Sequence, residues 1–282
     1  MNTSTIADSE YIRFIEIALN LVCIIPPYAN KYSKKTYTQQ QLMILLILKQ
    51  KLGLSYQRLI EDLKTRPKIL LLLGLNKLPS PSTLKMFAKR IKSDILHKMI
   101  GKAINFTRKR TLTVAIDSTG FHVEDGSYYY RKRLGLSTKV KKFVKLSAVV
   151  DTDKQIILSV KVRKKLAHDN RDFKPLIKKA SKIKKIKAVV GDKSYDCEDN
   201  HRFVVEDLRA ECIIPPRDYG KKARHKRFSY RNKLKKRYSK RKYHQRSKIE
   251  TVFFVIKKLF GAVLLSKKWL MQMKEQLLRV LA

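Results

Sequence analysis

The sequence predicts a two-part α+β chain: a helical region over residues 1–108, then a mixed α/β domain over residues 109–282 in which a sheet is flanked by helices. Apolar residues recur at helical spacing through the first part. At Thr111 the texture changes to short, β-branched runs. Beyond them, strand-like runs alternate with amphipathic, helix-like ones, the pattern of a sheet covered by helices.

In the helical region, Glu10 to Val22 alternates apolar and polar residues until Pro26-Pro27 stops it. Thr38 caps a helix running to Lys51 that carries LMILLILK, a length that favours a buried helix over a strand. Ser55 caps the next, SYQRLIEDL, which Pro67 ends. A short apolar segment, a Pro/Ser turn and a helix capped near Ser80 or Ser82 then suggest a helix-turn-helix-like DNA-binding module, with an ordinary helical bundle equally compatible.

In the second part, TLTVAID reads as a strand ending on Asp117. VKLSAVVD and QIILSVKVRK read as a hairpin around Asp151, Thr152 and Asp153. A helix follows from Arg171 to about Ser181, with Asp169 or Asn170 as its cap and His168 beside it. KAVVGD is a fourth strand ending on Asp192, Asp196 is placed as the cap of a helix from Cys197 to Leu208, and ECIIPP is a short fifth strand. Residues 217–242 form a run rich in Arg, Lys and Tyr. It reads as a solvated loop or as a basic arm that orders on phosphates, with Phe228, Tyr230 and Tyr238 available to stack on bases. The chain ends on LLRVLA without a polar cap, so its last helix is expected to fray or be cut short.

Charge narrows the function. Lys and Arg number 65 against 23 Asp and Glu, a formal net charge of +42, which calls for a polyanionic partner, nucleic acid first and an anionic membrane surface second. The stretch Leu42 to Leu48 is too short to span a bilayer, no secretory signal is visible, and the chain is expected to be cytoplasmic and nucleoid-associated with no membrane partner. Three isolated cysteines (Cys23, Cys197 and Cys212) have no ligand spacing, so neither a disulfide framework nor a zinc site is expected.

Within this excess of cations, Glu250 is the only acid between Asp218 and Glu275. It lies in YHQRSKIETVFFVIKK, read as one helix from Tyr243 to Lys258. Ile249, Val252, Phe253, Ile256, Leu259 and Phe260 form its apolar stripe, and Tyr243, Arg246, Glu250 and Lys257 fall together on another face. Taken singly, Asp117 and Asp192 are equally explained as strand-ending turn residues, and Glu250 as a surface ion-pair partner.

The spacing Tyr243, Arg246, Glu250, Lys257 resembles the Tyr-(2)-Arg-(3)-Glu-(6)-Lys signature of DDE transposases from bacterial and archaeal insertion sequences, most closely the insertion sequence 4 and 5 group. IDSTG, GDKSYD with the downstream IIPPR, and LPSPSTLKMFAKRI stand in the order and approximate separations of the same family. The strand and helix order, together with this resemblance, implies a ribonuclease-H-like sheet, where the first and fourth strands are neighbours and a closing helix brings the third acid. The resemblance implies that Asp117, Asp192 and Glu250 are the catalytic, metal-binding triad and that Tyr243, Arg246 and Lys257 contact transposon-end DNA. Three converging carboxylates need cations to offset their repulsion, and magnesium suits oxygen ligands; two Mg2+ ions, with Mn2+ as substitute, are expected. The implied activity is endonucleolytic cleavage at the terminal inverted repeats and strand transfer into target DNA, by a homodimer in the active complex. The alternatives are a ribonuclease-H-like nuclease without strand transfer, and a catalytically inactive or repurposed DNA-binding protein.

Overall fold

In the computed structural model, which describes residues 10–106, 110–123, 132–135, 143–164, 167–217, 230–231, 233 and 239–282, the N-terminal helices start where the sequence supplies capping side chains. Thr38 precedes α2 (Gln39–Lys51) in a capping box: its hydroxyl accepts from the Gln41 N–H at 3.1 Å, and the Gln41 side chain accepts from the Thr38 N–H at 2.8 Å. Ser55 caps α3 (Tyr56–Lys64), Pro67 opens α4 (Pro67–Leu72), and Ser80 caps α5 (Pro81–Arg90). With α1 (Glu10–Val22) before them and α6 (Ser93–Lys102) after, the expected helices are all present. None of the described helices is long and apolar enough to cross a membrane.

The chain divides into two units, residues 1–99 with 274–282, and residues 100–273. The first unit is built around α2. Every residue from Leu42 to Leu48 is buried, so this helix has no solvent face along that run and its neighbours must cover it all round. Lys274 belongs to the same unit. Its buried ammonium donates to the carbonyls of Ala88 at 3.1 Å and Lys89 at 2.6 Å, satisfying acceptors left over at the end of α5.

The second unit is a mixed sheet of six strands among the described residues: β1 (Thr111–Val123), β2 (Phe143–Asp151), β3 (Ile157–Arg163), β4 (Lys185–Gly191), β5 (Glu211–Ile213) and β6 (Val263–Leu264). The order is β3-β2-β1-β4-β5, with β6 beside the far end of β1. β2 runs antiparallel to both β1 and β3, while β4 and β5 run parallel to β1. This is the ribonuclease-H-like arrangement, with helices α7 (Asn170–Ser181), α8 (Glu198–Arg202), α9 (Lys240–Tyr243) and α10 (Ser247–Phe260), while α11 (Trp269–Leu281) starts in this unit and from Lys274 on belongs to the first.

Burial follows from how the helices cover the sheet. Leu112, Val114 and Ile116 of β1 join Phe173, Leu176 and Ile177 of α7 in one core cluster. Ile249, Val252, Phe253 and Ile256 of α10 are buried, and α10 packs on β1 and β2. β2 is buried at every residue from Val144 to Asp151, as in a strand covered on both faces, although Lys145, Ser147 and Asp151 interrupt its apolar run. Leu259, expected in the buried stripe of α10, is 65% exposed in the last turn of the helix, which ends at Gly261 (φ 78°).

A buried ion cluster ties the loop after β4 to the segment that precedes α9. Asp196, placed by the sequence as a helix cap, does not cap: Cys197 stands at that position and no side-chain cap bond forms. Asp196 instead accepts from Arg231 Nη2 at 2.5 Å and from the Arg217 N–H at 2.7 Å, and pairs with His201 Nε2 at 2.8 Å. Burial alone would raise its pKa, but His201, Arg231 and the Arg217 N–H hold it down to about 2. The sign follows: a depressed folded pKa contributes stability that is present above the unfolded value of about 4 and is lost as pH falls towards 2. Asp196→Asn is expected to cost about 3 kcal/mol of stability at neutral pH, since Arg231 is left buried without its counter-charge. Denaturant unfolding of the two proteins at neutral pH and at about pH 2.5 checks this, because the difference must shrink in acid.

Candidate active site

The parallel ladder between β1 and β4 ends with Ile116 opposite Gly191, so Asp117 and Asp192 follow side by side on adjacent strands. Asp192 terminates β4 as expected. Asp117 does not terminate β1, which continues to Val123 because β2 stays paired with it through His122 opposite Phe143 and β6 joins at His122 and Val123. Asp117 therefore marks the point where β1 loses β4 as a neighbour, which opens space beside a carboxylate in mid-strand.

Alternation along β1 sends successive side chains to opposite faces. Leu112, Val114 and Ile116 face the α7 side, so Asp117 faces α10. There Arg246 Nη1 lies 3.2 Å from Asp117 Oδ2, and Arg246 Nη2 lies 2.5 Å from Glu250 Oε1. The Tyr243 hydroxyl reaches Asp192 Oδ1 at 3.5 Å, and the Arg246 guanidinium sits 5.8 Å from the Tyr243 ring centre. Two acids thus bind one guanidinium, and a third, Asp192, lies near enough to act on its charge. Burial works against charge on Arg246, but Tyr243, Glu250, Asp117 and Asp192 together raise its pKa.

The single helix expected from Tyr243 to Lys258 is three pieces: α9 ends at Tyr243, a 3-10 turn covers His244–Arg246, and α10 starts at Ser247. The tighter turn changes the rotation between Tyr243 and Glu250, so their common facing comes from where the pieces pack. Lys257 lies two turns beyond Glu250 and rests 5.4 Å from the ring centre of Phe121 on β1. It is not among the groups gathered around Arg246.

Ser118 points to the other face, towards the start of α7. Its hydroxyl donates to Asp169 Oδ1 at 2.7 Å, and the same oxygen is ion-paired with Lys145. Asp169, expected as the cap of α7, makes no side-chain cap bond there. Its backbone is already helical (φ −56°, ψ −34°), whereas a capping residue needs extended dihedrals to turn its side chain onto the first N–H groups. Burial would raise its pKa, and Lys145 and Ser118 keep it below the ordinary carboxylate range. Sequence reading passed over this acid because a cap was its simplest explanation.

Burial pushes Asp117 up to about 6; Asp192 and Asp169 add to the rise, while the Ser118 N–H, 2.8 Å from Asp117 Oδ1, and Arg246 oppose it. Oxygen donors on adjacent strands, partly desolvated, fit a hard divalent cation. Among the described residues, no three His, Cys, Asp or Glu side chains form a ready ligand cage, since Glu250 is drawn to Arg246. Of the basic run 217–242, residues 218–229, 232 and 234–238 lie outside the described residues, Phe228 and Tyr238 among them. Tyr230, expected to be free for stacking, donates its hydroxyl to Glu206 at 2.8 Å.

A family model described as "Transposase DDE domain" matches residues 108–282. A search of curated proteins finds no match. A solved structure described as a piggyBac transposase synaptic complex with hairpin DNA is similar to the chain at 7% identity, covering 97% of this chain and 71% of that one with a TM-score of 0.42.

The raised pKa of Asp117 carries a stability signature. A folded pKa above the unfolded one contributes stability that is present below the unfolded value and lost as pH rises through about 6. Asp117→Asn is therefore expected to raise stability at about pH 7, by on the order of 2 kcal/mol, and to change it little at about pH 4. Thermal melts at the two pH values check it; equal destabilisation at both would contradict the electrostatic account of this carboxylate.

Proposed function

Since the chain belongs to the transposase DDE domain family, a family of DNA transposition enzymes, we propose that it cleaves the phosphodiester at the ends of its element and joins the freed 3′-hydroxyl to target DNA. The observation that carries this reading is the meeting of Asp117, Asp192 and Glu250 around Arg246, from two adjacent strand positions and the helix that crosses them.

In this reading Asp117, Asp192 and Glu250 are the catalytic acids and hold two magnesium ions, with manganese as a substitute. Bound by those oxygens, such ions supply Lewis-acid activation for an in-line displacement at phosphorus. Arg246 is the group that must exchange partners. While it bridges Asp117 and Glu250 it offsets their repulsion, and a DNA phosphate offers the guanidinium a competing bidentate acceptor. Tyr243, held against Asp192, is placed to contact the same backbone, and Lys257, further along α10, to contact a later phosphate. The cationic surface of the chain, +42 in sum, binds DNA through phosphates and orients it, without base specificity of its own. The helical region 1–108 supplies further DNA contacts, the active complex is a homodimer on terminal inverted repeats, and the protein acts in the cytoplasm at the nucleoid.

Three measurements test this reading. Single amide changes at Asp117, Asp192 and Glu250 should each lower Mn2+-supported cleavage by orders of magnitude, and combining them should cost little more, because groups acting as a unit are non-additive. Cleavage that survives any one of the three removes that residue from the set. DNA affinity should fall with salt at a log–log slope of about −7 for roughly eight phosphate contacts, and Lys257→Ala should reduce that slope by about one. Strand-transfer products from pre-cleaved ends separate a transposase from a nuclease that only cuts.

A further inference from the structure

We propose that Asp169 and Ser118 are positioning residues that orient Asp117 from the opposite face of the sheet. The proposal rests on the reading of Asp117 as a metal-binding acid.

Neighbouring residues of β1 point to opposite faces, so Asp117 and Ser118 share a peptide but belong to different layers. The Ser118 N–H donates to Asp117 Oδ1 at 2.8 Å, leaving Oδ2 as the oxygen that faces Arg246 on the α10 side. On the α7 side the Ser118 hydroxyl donates to Asp169 Oδ1 at 2.7 Å. Asp169 is in turn fixed by Lys145 of β2, a lysine only 5% exposed, whose ammonium also donates to the Ala167 carbonyl at 2.6 Å. The chain of contacts therefore runs from β2 through Lys145, Asp169 and Ser118 to one oxygen of Asp117. It fixes the rotation of that carboxylate, with its second oxygen turned to the α10 side.

Two features separate this arrangement from an ordinary ion pair. Asp169 makes no cap bond to α7, so its carboxylate is spent on Ser118 and Lys145 instead of on the helix whose N-terminus it occupies. Tyr195, fully buried in the turn that follows Asp192, brings its hydroxyl to the same corner, where Asp169, Asp117 and Ser118 all act on it. Outer groups that orient a ligating carboxylate, without touching the ion, are a general requirement of metal sites.

The test uses the full chain, with calorimetric Mn2+ titration, Mn2+-supported nicking of supercoiled plasmid, and a thermal melt on each variant. Asp169→Asn and Ser118→Ala should each weaken Mn2+ binding by roughly 10–100-fold and lower kcat for nicking, with the KM for plasmid unchanged. The double variant should lose no more than the worse single one, because both act along one path. Ser118→Thr, which keeps the hydroxyl, should recover most of the affinity lost in Ser118→Ala. If Asp169→Asn lowers the melting temperature but binds Mn2+ as the wild type does, while Asp117→Asn abolishes binding, Asp169 merely ties α7 to β2 and the proposal is overturned. Additive losses in the double variant overturn the shared path. Should Asp169→Asn fail to fold, Ser118→Ala, which removes no charge, decides alone. Should Asp117→Asn itself bind Mn2+ normally, the reading of Asp117 falls, and the proposal with it.

Discussion

The site depends on the register of one pair of parallel strands. Because the β1–β4 ladder ends at Ile116 opposite Gly191, two carboxylates emerge within reach of each other and of whatever crosses that edge. Shifting either strand by one residue would send its acid to the other face of the sheet. The register is protected by packing: Leu112, Val114 and Ile116 sit in the cluster with Phe173, Leu176 and Ile177, and a slip would turn all three out of it at once.

That placement creates an electrostatic problem which the chain meets locally. A net charge of +42 does little for a largely buried carboxylate, since exposed cations more than a screening length away are weakly felt. Asp117 accordingly rises to about 6 with Arg246 beside it. The same logic accounts for Lys145 at Asp169 and Arg231 at Asp196, where a cation is held close to each buried acid. Asp196, with His201 and an N–H donor as well, is the best satisfied of the three, as its low pKa shows. Asp117 is the least satisfied, which is the condition expected of an acid that takes on a metal.

Division of labour across the sheet follows from the two-residue period of β1. The α10 face carries Asp117 with Arg246 and Glu250, and the α7 face carries Ser118 with Asp169. Lys257 takes a separate place against Phe121. A signature that reads as four equivalent positions on one helix is distributed over a short helix, a 3-10 turn and a longer helix, each held by its own packing.

The sequence by itself determined the element types and most of their ends. Capping residues such as Thr38, Ser55 and Ser80 act through bonds a few residues away, and the β-branched runs of β1 to β4 carry their pattern locally. It also singled out Asp117, Asp192 and Glu250 as candidate acids, through a resemblance in motif order and the rarity of acids around Glu250. Only the tertiary structure decided what Asp169 and Asp196 do. Each follows or precedes a helix and reads as a cap, yet Lys145 lies 24 residues from one and Arg231 lies 35 residues from the other. A local bond to a backbone N–H and a distant ion pair look alike in sequence. The choice between them depends on dihedrals and neighbours that exist only once β2, α7 and the loop after β4 are packed together.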